Sequence, residues 1–372
     1  MINRFKSLLP KRNIGVGIEL APEKINIAKL QRQGQGFKLA ALSSLPVPEG
    51  IFQEGIIADP PALAELIKQA LAQSKIKTQR VATSVPSGES LIRLIPLPAE
   101  LNDQELREMV LQHEAGLYLP YPREEADVDY QKLNYFVDED GIEKVQVLLV
   151  ATRKEVTDTY INTFQHAGLK VDVIEINSFA LIRTIREQLR SYGMQEAAVL
   201  VDIQFENTEI AIIVDGVPQF SRTVPIGTYH LENALLRSMN LPPSRDTQML
   251  QSISLPASSD EDDDYDLTGV NPGILAVMRV LTELADELRR SVEFYLSQSD
   301  NLELVQILLA GPGGGLTNLN QFFQQRLSVP TSQIDPVAAL SLEVDEEKIT
   351  PAQRPGLGTV LGLGLRGAWG DV

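Results

Sequence analysis

Two acids at the tips of apolar segments are the residues best placed, by type and spacing, to do chemistry. Glu19 ends the run Ile14-Gly-Val-Gly17-Ile18-Glu19, and Asp202 ends Ala198-Val-Leu-Val201-Asp202. Each is followed by a short turn and a second apolar run, Ile25-Asn-Ile27-Ala-Lys-Leu30 in one case and Thr208-Glu-Ile210-Ala-Ile212-Ile213-Val214 in the other. The pattern predicts a buried strand, an acid at its tip, a tight turn and a returning β-branched strand. Its two copies lie roughly 180 residues apart, as a duplicated domain would place them. A third candidate is Ile307-Leu-Leu309-Ala running into Gly311-Pro-Gly313-Gly314-Gly315. Glycines let backbone N–H groups approach phosphates. Two facing hairpins and a glycine turn could therefore grip a nucleotide between two lobes. The plainer alternative stays open: the acids cap turns, and the glycines close a strand–helix connection.

The elements that would position these residues alternate between strand and helix. Residues 60–72 open on Pro60-Pro61 and carry the stripe Leu63, Leu66, Ile67, Ala70 and Leu71, which predicts a helix. Further helices are predicted over 155–168, 179–192, 231–240 and 272–297. Residues 88–149 have their own rhythm. A strand (Ser90-Leu-Ile-Arg-Leu-Ile95) leads to a helix over 102–118, stopped by Leu119-Pro-Tyr-Pro122. Two strands follow, joined by the turn Asp138-Glu-Asp-Gly141. This inserted βαββ unit is a natural place for partner binding. Tyr118 and Tyr121, with their prolines, would also suit a lip that captures an extended peptide.

The expected organisation is a tail over 1–12, a first lobe over 13–87 and 150–196, and the insertion over 88–149. A second lobe spans 197–240 and 300–350. A helical subdomain over 241–299 carries an acidic loop at 256–271, and a helix in 351–372 packs back on the first lobe. The fold class is α/β, with mixed sheets flanked by helices.

Composition narrows the function classes. At 372 residues the chain can hold two or three domains with cores of their own, and 43% hydrophobic residues mark it as folded. A net charge of −17 is unlike the basic footprint of a nucleic-acid binder, so no nucleic-acid partner is expected. Part of that charge is the run Asp260-Glu-Asp-Asp-Asp264-Tyr-Asp266, read as a solvated loop. The absence of cysteine excludes a disulfide scaffold and thiol chemistry. No run of about 18 apolar residues is present, nor the apolar core of a secretion signal, so the expected location is the cytosol. His113, His166 and His230 have no metal-ligand spacing.

The order of these motifs resembles the actin, sugar kinase and heat-shock ATPase superfamily, and within it the FtsA-like PilM family of type IV pilus assembly. The resemblance covers nearly the whole chain. It is carried by Val85-Pro86, Arg93-Leu-Ile-Pro-Leu97-Pro98, Glu105-Leu106, Glu114-Ala115, Tyr118-Leu119-Pro120-Tyr121-Pro122 and Asp129-Tyr130. Gly168-Leu169, Glu175, Ala180, Arg222, Gly227 and Arg290-Ser-Val-Glu-Phe294-Tyr295 continue it. It implies an actin-like ATPase fold of two related lobes with an FtsA-type inserted subdomain. It also implies ATP and Mg²⁺ in the crevice, with Glu19, Ala21, Asp202, Gln204, Thr208, Gly227, Gly311, Gly313 and Gly314 around the nucleotide and Asp202 toward the metal.

The chain departs from the family pattern in the phosphate grip. Glu19-Leu20-Ala21-Pro22 stands where Asp-Ile-Gly-Ser/Thr is usual, Asn26 where a lysine follows, and Gln204 where glycine is usual. Pro22 has no N–H, Ala21 adds a methyl group and Asn26 carries no charge. Losing several phosphate hydrogen bonds, about 1.5–3 kcal/mol each when charged, removes much of the affinity. Efficient hydrolysis is therefore not expected, and no catalytic residue is assigned.

The family resemblance further implies a cytoplasmic adaptor at the inner-membrane face. It would bind the N-terminal tail of the inner-membrane protein PilN between first lobe and insertion, linking the PilN–PilO assembly to the pilus motor ATPases. Pro86, Tyr118 and Tyr121 are the expected peptide contacts. The alternatives are an active ATPase or kinase on the same fold, and an FtsA-like filament-forming scaffold built as a homo-oligomer.

Overall fold

The computed structural model describes residues 14–53, 55–257, 270–298 and 302–369. The basic tail 1–12 and the acidic run 260–266 lie outside them. The first lobe contributes β1 (Ile14–Leu20), β2 (Lys24–Gln33), β3 (Gly36–Pro46), the short pair β4 (Phe52–Gln53) and β5 (Ile56–Ile57), and β6 (Arg80–Val85). The insertion holds β7 (Ser90–Pro98), β8 (Ala126–Val137) and β9 (Glu143–Arg153), after which β10 (Lys170–Ile176) returns to the first lobe. The second lobe is built from β11 (Glu196–Ile203), β12 (Thr208–Val214), β13 (Val217–Val224), β14 (Glu303–Ala310) and β15 (Thr331–Gln333).

The two large sheets have one topology. The first runs β10-β6-β1-β2-β3 and the second β13-β12-β11-β14-β15. In each, a three-strand antiparallel meander continues into parallel strands reached by crossovers. The duplicated motif in the sequence is therefore a duplicated sheet. Both faces of the second sheet are covered, which is why β12 is buried along its whole length and is apolar without interruption from Ile210 to Val214. The helix Pro272–Leu296 covers one face with Val277, Leu281, Leu284 and Leu288. Leu181, Ile182, Ile185 and Leu189 cover the other.

Those four residues belong to the segment expected as one helix over 179–192. It is instead two, Asn177–Thr184 and Arg186–Leu189, because Ile185 leaves helical geometry at φ −111° and ψ 16° while its side chain is buried between the lobes. Tertiary burial overrides the helical period there.

On the first sheet the C-terminal helix Gly358–Trp369 lies directly on β1. A methyl group on Gly15 would sit 2.1 Å from the Gly364 carbonyl oxygen, and one on Gly17 2.5 Å from the Gly364 nitrogen. One on Gly362 would sit 1.9 Å from the Ala180 carbonyl oxygen. The Gly-Val-Gly of β1 thus lets a helix backbone lie on a strand backbone.

The insertion is a sheet ordered β7-β9-β8 under a helical stretch, Asp103–Glu108, Met109–Glu114 and Ala115–Tyr118, whose middle turn is a π-helix. Asn102 and Glu105 cap its start reciprocally. Leu106, Val110 and Ala115 bury against Ile95, Val147 and Leu149.

Candidate functional site

The strand-tip acids are buried at the tips of β1 and β11, and each is held by a carboxamide. Glu19 and Asn26 are cross-strand partners in the β1–β2 register. Asn26 Nδ2 donates to Glu19 Oε2 at 2.9 Å. Glu19 is 5% exposed, and burial pushes its carboxyl from the usual 4.5 up to about 7. In the second lobe the equivalent cross-strand pair is Asp202 and Glu209. Gln204 Nε2 donates to both oxygens of Asp202, at 2.7 and 2.8 Å. Burial, with Glu209 adding like-charge repulsion, holds Asp202 well above the ordinary carboxylate range. Burial raises Glu209 as well, opposed by donors from Ser87 and Asn177.

The turns after these acids are closed on themselves. Ala21 N–H donates to the Lys24 carbonyl at 3.0 Å, and Gln204 N–H to the Asn207 carbonyl at 2.9 Å. Thr208 Oγ1 donates to the Ile226 carbonyl. Gly227 precedes the helix Thr228–Ser238 and donates its N–H to His230 Nδ1. The next two N–H groups, of Thr228 and Tyr229, bond the carbonyls of Gln204 and Phe205. A side chain at 227 would collide with those same carbonyls, at 2.4 to 2.6 Å. The backbone donors at Ala21, Gln204 and Gly227 are therefore engaged within the protein.

The glycine turn is packed as tightly. Gly311 adopts φ +77°, and a methyl group on it would lie 2.5 Å from Asp202 Oδ1. One on Gly313 would lie 2.4 Å from Ile203 Cγ2, and one on Gly314 3.0 Å from the Leu309 carbonyl carbon. Of the predicted nucleotide residues, Asp202, Gln204, Thr208, Gly227, Gly311 and Gly313 converge on one junction. Glu19 and Ala21 occupy the equivalent tip opposite.

Beside that junction lies a cavity of ≈ 370 Å³, lined among others by Lys24, Asn26, Ser43, Thr247, Gln251 and Lys348. Gly313 lines it too, while Glu19 and Asp202 are not in its wall. Lys24 is the cation that sequence reasoning missed while noting the missing lysine at 26; both alternate residues of β2 face the same way, which is the signal that could have found it. Glu209 was missed as well, although an acid inside the β-branched run of a buried strand is itself a flag. Contacts tie the lobes across the crevice. Arg245 Nη2 donates to the Pro22 carbonyl at 3.0 Å while its guanidinium lies 4.9 Å from the Phe205 ring centroid. Glu209 accepts from Ser87.

A second concavity, ≈ 710 Å³, separates first lobe from insertion. Its walls are the outer edges of β8 (Asp127 to Gln131) and β10 (Val171 to Ile176), and both strands end their sheets among the described residues. Val128, Val150, Ile161, Val171, Val173 and Phe179 make it apolar between those edges. Of its acids, Glu175 is bonded to Arg183 at 2.6 Å through both oxygens, and Asp172 to Arg80. Asp129 is exposed and accepts from the Tyr130 N–H at 2.9 Å, which marks that N–H as facing away from β9.

None of the expected peptide contacts lines this groove. Pro86 borders a separate small cleft with Ile56, Glu89 and Tyr160. Tyr121 lies under the Arg153 guanidinium at 4.2 Å, and Tyr118 is exposed at the helix end. The prolines around them stop the helix, and that local role explains their pattern.

Among the described residues no helix is long and apolar enough to cross a membrane. The family described as "Type IV pilus assembly protein PilM" matches residues 17–368. A solved "PilM-PilN type IV pilus biogenesis complex" contains a chain of 26% identity that superposes with a TM-score of 0.78, covering 96% of this chain and 99% of that one. Ethanolamine utilization protein EutJ from Carboxydothermus hydrogenoformans shares the fold at 13% identity, with a TM-score of 0.54 over 97% of this chain and 93% of its own. The architecture of two related lobes is that of the actin-like ATPases.

Proposed function

The chain belongs to the family of type IV pilus assembly protein PilM, and from that premise we propose an adaptor whose ≈ 710 Å³ groove holds the N-terminal tail of PilN. The observation that carries this reading is the groove between two strand edges, β8 and β10, with an apolar floor. An extended peptide entering it can bond a free edge with its backbone and seat alternate side chains on the floor. The chemistry of a cytoplasmic tail suits the walls. Short cytoplasmic segments of inner-membrane proteins are enriched in Lys and Arg, and Asp129 stands exposed on the β8 wall, while Glu175 and Asp172 are paired with Arg183 and Arg80. The adaptor would sit at the cytoplasmic face of the inner membrane and link the PilN–PilO assembly to the pilus motor ATPases.

The ≈ 370 Å³ crevice is of a size and lining suited to an adenine nucleotide. Lys24 and Lys348 supply positive charge toward phosphates, in place of the backbone donors already engaged at Ala21 and Gln204. Such a ligand would set the angle between lobes and so shift the population competent for the tail. Ser87 and Gly88, which touch Glu209 and Thr223 of the second lobe, lie at the start of the insertion and give that coupling a route.

A synthetic PilN tail peptide titrated into the full chain tests the adaptor. Saturable binding in the micromolar range is expected, weakened at least tenfold by Val150→Arg in the groove floor. No heat or anisotropy change at high micromolar peptide, with or without ATP, would remove the reading.

A further inference from the structure

We infer that this crevice holds no divalent cation at its strand-tip acids, because the Gln204 and Asn26 carboxamides occupy the faces of Asp202 and Glu19 that a metal would need. The inference rests on the crevice being a nucleotide site, and it concerns only how that site is built. Asp202 is 2% exposed, and one amide nitrogen spans both its oxygens. Its Oδ1 lies so close to the Gly311 backbone that even a methyl group there would come within 2.5 Å. Glu19 lies behind Asn26, which lines the cavity in its place. The third buried acid, Glu209, is turned to Ser87 in the other lobe.

A magnesium ion keeps about six oxygens in near-octahedral order at about 2.1 Å, several of them water. Such a shell needs open carboxylate faces and room for those waters, whereas neither acid lines the cavity and both Asp202 oxygens already accept from Gln204. Among the described residues no group of three or more His, Cys, Asp and Glu is placed to hold a metal ion. The two carboxamides do part of a cation's work: each offers a positive N–H end to a buried acid without bringing a net charge or a hydration shell. The two amides are placed differently: Asn26 is the cross-strand partner of Glu19, whereas Gln204 lies in the turn two residues beyond Asp202, whose own cross-strand partner is Glu209.

The test uses the full chain and Mn²⁺ as probe, read by loss of the free aquo-ion signal in electron paramagnetic resonance. Gln204→Gly frees both Asp202 oxygens and is expected to create one Mn²⁺ site that the added Asp202→Asn change removes, while the parent chain shows no site sensitive to Asp202→Asn. In a parallel calorimetric arm, ATP affinity with EDTA and with Mg²⁺ should agree within twofold. A micromolar Mn²⁺ site in the parent chain that Asp202→Asn abolishes would overturn the inference, as would a tenfold gain in ATP affinity on adding Mg²⁺. Failure of Gln204→Gly to bind Mn²⁺ any better than the parent chain would equally overturn it, since Gln204 would then not be what excludes the metal. ATP binding in neither buffer would refute the nucleotide reading alone, and the Mn²⁺ comparison would still decide this one.

Discussion

Ser87 and Glu209 lie 122 positions apart and on opposite lobes, yet the Glu209 carboxylate accepts from the Ser87 N–H at 2.9 Å and from its hydroxyl at 2.5 Å. Both are buried. A buried acid needs such donors, because an uncompensated carboxylate away from water is costly. The bond makes the start of the insertion a fixed neighbour of the second lobe.

Removing one donor tests that relationship. Ser87→Ala should destabilise the chain by about 1.5–3 kcal/mol, the range for a hydrogen bond to a charged group. The loss should be larger at pH 8 than at pH 5, since the hydroxyl favours the ionised form of Glu209, whose pKa burial raises. Urea denaturation at the two pH values measures it; equal losses would mean that the hydroxyl does not stabilise the charge.

Glu19 gives a second pH dependence. Its folded-state pKa, about 7, lies above the ordinary 4.5, so the folded protein holds the proton more tightly between those values. Its contribution is present in full below about 4.5 and is lost as pH rises through about 7, on the order of 3 kcal/mol in all. Glu19→Gln keeps an oxygen for Asn26 and cannot ionise. The variant should be more stable than the parent at pH 8, with the difference shrinking toward zero near pH 4.5. A constant difference across that window would refute the assignment.

The helix on β1 can be tested through its glycines. Gly17→Ala and Gly362→Ala place a methyl group 2.5 and 1.9 Å from backbone atoms that cannot turn aside. Each should cost about 3 kcal/mol, the upper part of the range for overpacking. Gly116→Ala, whose methyl group meets nothing within 4 Å, should instead leave stability unchanged or raise it by up to about 1 kcal/mol. Denaturant midpoints for the three variants suffice.

Charge in the groove should show in its salt dependence. Asp129→Lys is expected to weaken a basic PilN tail peptide at least tenfold, about 1.4 kcal/mol, while leaving stability within about 0.5 kcal/mol because the residue is exposed. The parent affinity should fall between 50 and 500 mM salt, since exposed charges are screened over a Debye length, and the variant should lose most of that slope. An unchanged affinity for Asp129→Lys would place the tail elsewhere.

Most of the fold was legible because it is written in local patterns. The paired runs ending in Glu19 and Asp202 became β1–β2 and β11–β12, and Pro60-Pro61 with the stripe from Leu63 to Leu71 became the helix Pro60–Gln73. Periods of two and near 3.6, turn residues and caps act over a few positions, and one sequence displays them. Ile185 shows the limit: its helical spacing gave way to burial between lobes.

The site was legible in composition but not in pairing. Asp202 and the glycines could be named from their types. That Gln204 spans both oxygens of Asp202, that Asn26 rather than Glu19 faces the cavity, and that Lys24 shares its wall depend on side-chain direction. The groove between first lobe and insertion is further from reach, because β8 and β10 become neighbours only after the insertion folds back on the first sheet. The amino-acid order alone determined two repeated lobes of strand and helix with an extra module in the first. Tertiary closure decided which acids meet which amides and where two strand edges stay open, since those are distances across the whole chain that no local pattern encodes.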